Sequence, residues 1–151
     1  SLAQPWWTER HSYQTLPGLL RKLRAFAKAP GRAYAYAYWP HYDSLCHQFG
    51  PEGREPALHL RELDAFLARA QRALRGTDTL LLVTADHGQD ARGHHGGTGE
   101  EQRDFAFYYF GNSALPGEDE VLDQLALAPS ILTRMGVPVP STMTAKPFFT
   151  P

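Results

Sequence analysis

From Thr15 to Lys28 the apolar side chains Leu19, Leu20, Leu23, Phe26 and Ala27 recur at helical spacing among Arg21, Lys22, Arg24 and Lys28. That pattern predicts an amphipathic helix, which Pro30 and Gly31 stop. The pattern then changes. Ala33 to Trp39 is an aromatic-rich run that suits a buried strand, ended by Pro40, with a loop following through Pro51. A second helical stripe, made of Leu60, Leu63, Phe66, Leu67, Ala70 and Leu74, predicts a helix over 55–75 that Gly76 terminates. Thr79 to Ala85 is continuously apolar apart from its threonines, as expected of a central parallel strand covered on both faces. A polar, glycine-rich loop occupies 86–103, and Phe105 to Phe110 reads as a third strand. A third helix is expected over 118–135, broken or kinked at Pro129, before an irregular proline-rich tail from Pro138. Long helices between buried strands indicate an α/β fold, layered α/β/α on a mostly parallel sheet.

Composition narrows the classes of function. The chain of 151 residues, 42% hydrophobic and 21% charged, has the mix of one globular domain spanning 1–151. Its formal net charge of −1 argues against a nucleic-acid partner held by bulk phosphate attraction. The single cysteine, Cys46, excludes an internal disulfide and a multi-cysteine zinc module. It reads as a small buried apolar residue, with a soft metal ligand as the alternative. No apolar run reaches the roughly 20 residues of a membrane helix.

Three short segments carry chemistry, each beyond a strand's carboxyl end or in the loop that follows, where open α/β sheets gather ligands. Asp43 and His47 are four apart, so one helical turn puts a carboxylate and an imidazole side by side. Alone, the pair also reads as a capping Asp and a surface His. Asp86-His87-Gly88 follows the most apolar strand, and Gly88 permits the sharp turn that would bring both side chains to one ion. Gly93-His94-His95-Gly96-Gly97 is a histidine pair among glycines, which suits close approach to an ion or phosphate and equally suits a surface loop. Together, Asp43, His47, Asp86, His87 and one or both of His94 and His95 form a mixed imidazole and carboxylate set. Such a set suits Zn²⁺, with Mn²⁺ or Fe as competitors. Five ligands exceed the three or four that one zinc takes, so two divalent ions are the economical reading, the arrangement that clamps a phosphoryl group.

The ordered set resembles the metal-binding part of type I phosphodiesterase/nucleotide pyrophosphatase enzymes of the alkaline phosphatase superfamily. It is especially similar to relatives that transfer phosphoethanolamine to glycolipid anchors. The resemblance rests on Asp43-x-x-x-His47-x-x-Gly50-Pro51, Glu62-Leu63-Asp64, Val83-Thr84-Ala85-Asp86-His87-Gly88, His95-Gly96-Gly97, and a closing Ala128-Pro129-Ser130-Ile131-Leu132 with Gly136-Val137-Pro138. It implies a phosphoric-ester hydrolase or phosphotransferase acting on a phosphate-ester small molecule or lipid head group. Asp43, His47 and His95 would hold one zinc, and Asp86 and His87 would contribute to the other. His94 would face substrate. The family's Thr or Ser nucleophile and one further Asp lie upstream of the Asp-x-x-x-His segment. Thr8, Ser12 and Thr15 do not fit that role, so the chain is expected to be the C-terminal portion of a larger catalytic domain. The family's usual Met after Asp-His-Gly is Gln89 here, and a glycine expected near the C-terminus is Ala145. The competing expectations are a non-catalytic metal- or partner-binding remnant of the fold, and a sulfatase or phosphosugar mutase of the same superfamily.

Overall fold

A computed structural model describes residues 9–111 and 120–149. They gather into two compact units, one of residues 9–29 and 35–110, the other of 30–34, 111 and 120–149.

In the first unit, helix α1 spans Leu16–Ala27. Thr15 caps it, its hydroxyl accepting from the Gly18 amide at 3.1 Å, and Pro17 lies in the first turn, where no amide is needed. The stretch expected to be a loop after Pro40 is instead a helix, α2, spanning His41–Phe49. No glycine or proline interrupts those nine residues, and Gly50, at φ 74°, ends them with its amide on the Cys46 carbonyl at 2.9 Å. Helix α3, Arg54–Leu74, packs on both α1 and α2. Its covered stripe starts earlier than expected, at buried Pro56. His59 is buried, whereas Leu60 is half exposed. The exchange is possible because His59 is hydrogen-bonded on both ring nitrogens, by the Trp39 indole at 2.9 Å and Glu62 at 2.8 Å, and a satisfied polar ring is cheap to bury.

The strand expected over Ala33–Trp39 does not form. Strand β1 is Leu81–Thr84 and β2 is Phe107–Phe110, and these two make the only sheet among the described residues. A strand needs a neighbour, and among the described residues none flanks 33–39. Tyr34, Tyr36 and Tyr38 are exposed. The Tyr38 amide and carbonyl are satisfied instead by one side chain, the Tyr13 hydroxyl, at 2.8 and 2.6 Å. The parallel sheet is likewise corrected. β1 pairs with β2 antiparallel, Leu81 opposite Phe110 and Thr84 opposite Phe107, so the described fold is mixed helix with a small antiparallel sheet. Between the strands a long loop ends in a short helix, α4, Glu100–Arg103.

In the second unit, the helix expected over 118–135 is shorter. Residues 118 and 119 lie outside the described residues. A 3-10 turn, Gln124–Ala126, leads directly into α5, Leu127–Arg134. Pro129 falls in the first turn of α5, so it helps to start the helix rather than kinking it. The irregular tail is tied back through buried Ser130, whose hydroxyl donates to the Ala126 carbonyl and accepts from the Phe148 amide at 2.9 Å.

Candidate metal centre

Helix α2 does what the Asp-x-x-x-His spacing requires. Asp43 lies in its first turn and His47 in its last, so each end of the helix dipole meets a favourable group. Their side chains sit side by side, His47 Nε2 to Asp43 Oδ1 at 3.5 Å. At the end of β1 the second pair repeats this spacing, His87 Nε2 to Asp86 Oδ1 at 3.6 Å. The third segment comes to both. The His95 ring stacks on that of His87, centroids 3.8 Å apart, and lies 5.1 Å from that of His47. Asp43, His87 and His95 each offer one donor atom within 4.8 Å of the others.

These spacings fit a metal. Both Asp–His separations are too long for good hydrogen bonds. They match the edge of a tetrahedron around zinc, roughly 3.4 Å for ligand bonds of about 2.0–2.2 Å. The tautomer also fits at His87, whose Nδ1 lies 3.0 Å from the Gly88 carbonyl. A carbonyl only accepts, so Nδ1 carries the proton and Nε2 keeps its lone pair for a ligand bond. Cys46 takes no part. It is fully buried in α2, and burial raises its thiol pKa, opposed by a hydrogen bond to Tyr42 and reinforced by the Asp43 charge. A protonated, covered thiol is inert.

The loop that carries His94 and His95 is organised by a residue outside the three segments, Asp90. Asp90 Oδ1 accepts from the amides of Arg92 and His94, both at 2.9 Å, and Oδ2 accepts from the Gln102 carboxamide at 3.1 Å. Its own carbonyl accepts from Gly93 at 2.9 Å, closing a turn. The signal was present in the sequence, as Asp at the first and Gly at the fourth position of a turn. Two glycines let this loop lie close to its neighbours. A Cβ on Gly93 would collide with the Cys46 carbonyl of α2, and one on Gly88 with the Glu101 and Asp104 carbonyls. Gln89, beside His87, donates its carboxamide to Asp43 Oδ1 at 2.6 Å. The two loop histidines diverge. His94 is largely exposed and turned toward Asp90, Nδ1 to Oδ2 3.7 Å, while His95 faces His87 and His47.

The His94 amide, with those of Arg92 and Gln102, holds the Asp90 carboxyl below the usual carboxylate range despite the opposing effect of burial. A depressed folded value means that the anchoring is complete above the unfolded pKa of roughly 3.9 and fades as pH falls through the lower folded value. Acid titration followed through the Arg92 and His94 amide resonances should therefore show a shared midpoint below that of an ordinary aspartate. A midpoint at or above it would contradict this anchoring, and Asp90→Asn should abolish the transition.

A profile of the type I phosphodiesterase/nucleotide pyrophosphatase family matches residues 3–96, which include every residue of the three segments up to Gly96. The chain belongs to that family, and through it to the alkaline phosphatase superfamily. It is 34% identical over 103 residues to the catalytic subunit of GPI ethanolamine phosphate transferase 3 of Mus musculus, covering 65% of this chain and 9% of that protein. To the GPI ethanolamine phosphate transferase 3 of Schizosaccharomyces pombe it is 28% identical over 123 residues, 75% of this chain and 13% of that protein. A 2,3-bisphosphoglycerate-independent phosphoglycerate mutase of Cronobacter sakazakii is 32% identical over 94 residues, 58% of this chain and 18% of the mutase. The chain thus spans about a tenth of the length of the transferases it matches. No solved structure matches it. Among the described residues, no helix is long and apolar enough to cross a membrane.

Proposed function

We propose that this chain carries the metal-ligating part of a phosphoric-ester hydrolase or phosphotransferase, acting on a phosphodiester of a small molecule or lipid head group. The observation that carries the reading is the convergence of Asp43, His87 and His95 within 4.8 Å, flanked by His47 and Asp86 at co-ligand spacing. In this reading Asp43, His47 and His95 hold one zinc, and Asp86 and His87 contribute to a second close by, which is why His87 falls in the same 4.8 Å group as Asp43 and His95. Two such ions, when bound, stabilise phosphoryl oxygens and lower the pKa of an attacking hydroxyl. The chain's own residues fix where those ions sit. Asp43 and His47 do so from a rigid helix and Asp86 and His87 from a strand end, while His94, exposed at the rim, meets the substrate. In this reading the attacking hydroxyl is assigned to none of residues 1–151. The similarity to a phosphoglycerate mutase favours phosphosugar mutation as the second reading.

The test is metal content followed by turnover. After dialysis, the chain should retain roughly one zinc, held by three protein ligands, and bind a second weakly. With zinc added, it should cleave a chromogenic phosphodiester far below the ordinary enzymatic range of about 1–10³ per second. No retained zinc would overturn the metal assignment. Turnover within the ordinary range would show that the attacking group lies within these residues after all.

A further inference from the structure

The Asp43 carboxylate has more than one claim on it. His47 Nε2 lies 3.5 Å from Oδ1, and the Gln89 carboxamide nitrogen lies closer to the same oxygen, at 2.6 Å. A carboxylate only accepts, so the amide orientation follows from chemistry: Gln89 must present its NH₂ group. The two residues are far apart in sequence and belong to different parts of the site. Asp43 projects from α2, and Gln89 stands two residues beyond His87, in the loop that leaves β1. This is therefore a direct polar link between α2 and the loop that leaves β1. Both partners are partly covered rather than fully solvated, where a hydrogen bond to a charged group is worth more than a surface contact.

We propose that Gln89 is a positioning residue, which holds one oxygen of the Asp43 carboxylate and so makes that carboxylate a one-oxygen ligand suited to zinc. The proposal rests on the metal-site reading above and adds to it a determinant of metal choice. An unrestrained carboxylate can swing to offer both oxygens, which suits larger cations that accept six or more oxygen ligands. With Oδ1 tied to the amide, the carboxylate cannot swing to present both oxygens, and Oδ1, 3.5 Å from His47 Nε2, keeps its other lone pair for a four-coordinate site. The constraint also removes the freedom of the Asp43 side chain before metal arrives, so less ordering accompanies binding.

The test compares the wild-type chain with Gln89→Met, an unbranched side chain of similar length without a donor. Zinc and manganese affinities are measured separately by competition with a chelator, and the metal-free proteins are compared by thermal melting. Zinc affinity should fall about 10–100-fold, the usual consequence of losing a group that orients a ligand. Manganese affinity should fall by less, so that the preference for zinc narrows, and metal-free melting should not change. An equal loss for both ions, or a lowered metal-free melting temperature accounting for the loss, would reduce Gln89 to a structural contact and overturn the proposal. Unchanged zinc affinity would overturn it too, while leaving the metal site standing. Absence of tight zinc in the wild-type chain would instead remove the site reading, and the proposal with it.

Discussion

His95→Ala should release the tightly held zinc at micromolar chelator, while His94→Ala should keep it. The two residues are neighbours in one exposed loop, so composition and propensity do not separate them. Geometry does. The His95 ring is stacked on His87 at 3.8 Å and tilted against His47 at 5.1 Å, and with Asp43 and His87 it supplies one of three converging donors. The His94 side chain is 66% exposed and directed at Asp90. Losing one of three protein ligands should weaken zinc by more than the roughly 100-fold that bounds the loss of an outer group. Losing His94 should cost less than about tenfold in zinc affinity, with any larger effect confined to substrate binding. Neither ring belongs to the packed core, so both variants should melt within about 0.5 kcal/mol of wild type when metal-free. Equal zinc loss from both would indicate a loose histidine cluster. The reverse order would mean that the loop presents the other ring to the site.

What the sequence revealed of this fold follows from how local each cause is. Helices α1 and α3 were legible because a stripe of apolar residues against arginines and glutamates is a local signal. The α2 helix was not. Its nine residues are mostly polar or small, and the flanking Pro40, Gly50 and Pro51 made the whole stretch resemble a loop, although the same residues are good boundary signals for a short helix. The Ala-Tyr alternation of 33–39 has genuine strand propensity, but a strand exists only with a neighbour, and propensity carries no information about one. The apolar run before Asp86 announced a strand and said nothing of its partner's direction, which is settled by the return of the chain at Phe107.

The chemistry-bearing residues were legible for a different reason. Carboxylates and imidazoles at a strand end and four apart on one turn are donor atoms at spacings that a single ion can use, so their positions stand out whatever the path between them. How they group is another matter. That Gln89 bonds Asp43, and that Asp90 rather than a histidine shapes the 90–102 loop, depends on where the chain doubles back, and spacing does not encode it. Gln89 stands two residues beyond His87 in sequence, and only the fold brings it to Asp43.

The loop's approach to α2 should be breakable without touching any ligand. Gly93 has φ 78°, and a Cβ there would collide with the Cys46 carbonyl, part of the rigid backbone of α2. Gly96 has a similar φ, 85°, but nothing lies within 4 Å of its would-be Cβ. The pair separates two costs that usually come together. Gly96→Ala meets only the left-handed backbone penalty, about 1–2 kcal/mol, and can relax in open space. Gly93→Ala meets the same penalty and adds overpacking against a main chain that cannot swing aside, for a total of roughly 2–4 kcal/mol. The less costly escape is for the loop to lift from α2, which carries His95 away from Asp43 and His47. Gly93→Ala should therefore lose zinc more than tenfold, and the Arg92 and His94 amides should lose their protection from exchange, because their hydrogen bonds to Asp90 open with the turn. Gly96→Ala should bind zinc within a few-fold of wild type. If the two variants lose zinc alike, the backbone conformation alone governs the loop, and the close contact with Cys46 does not hold His95 in place.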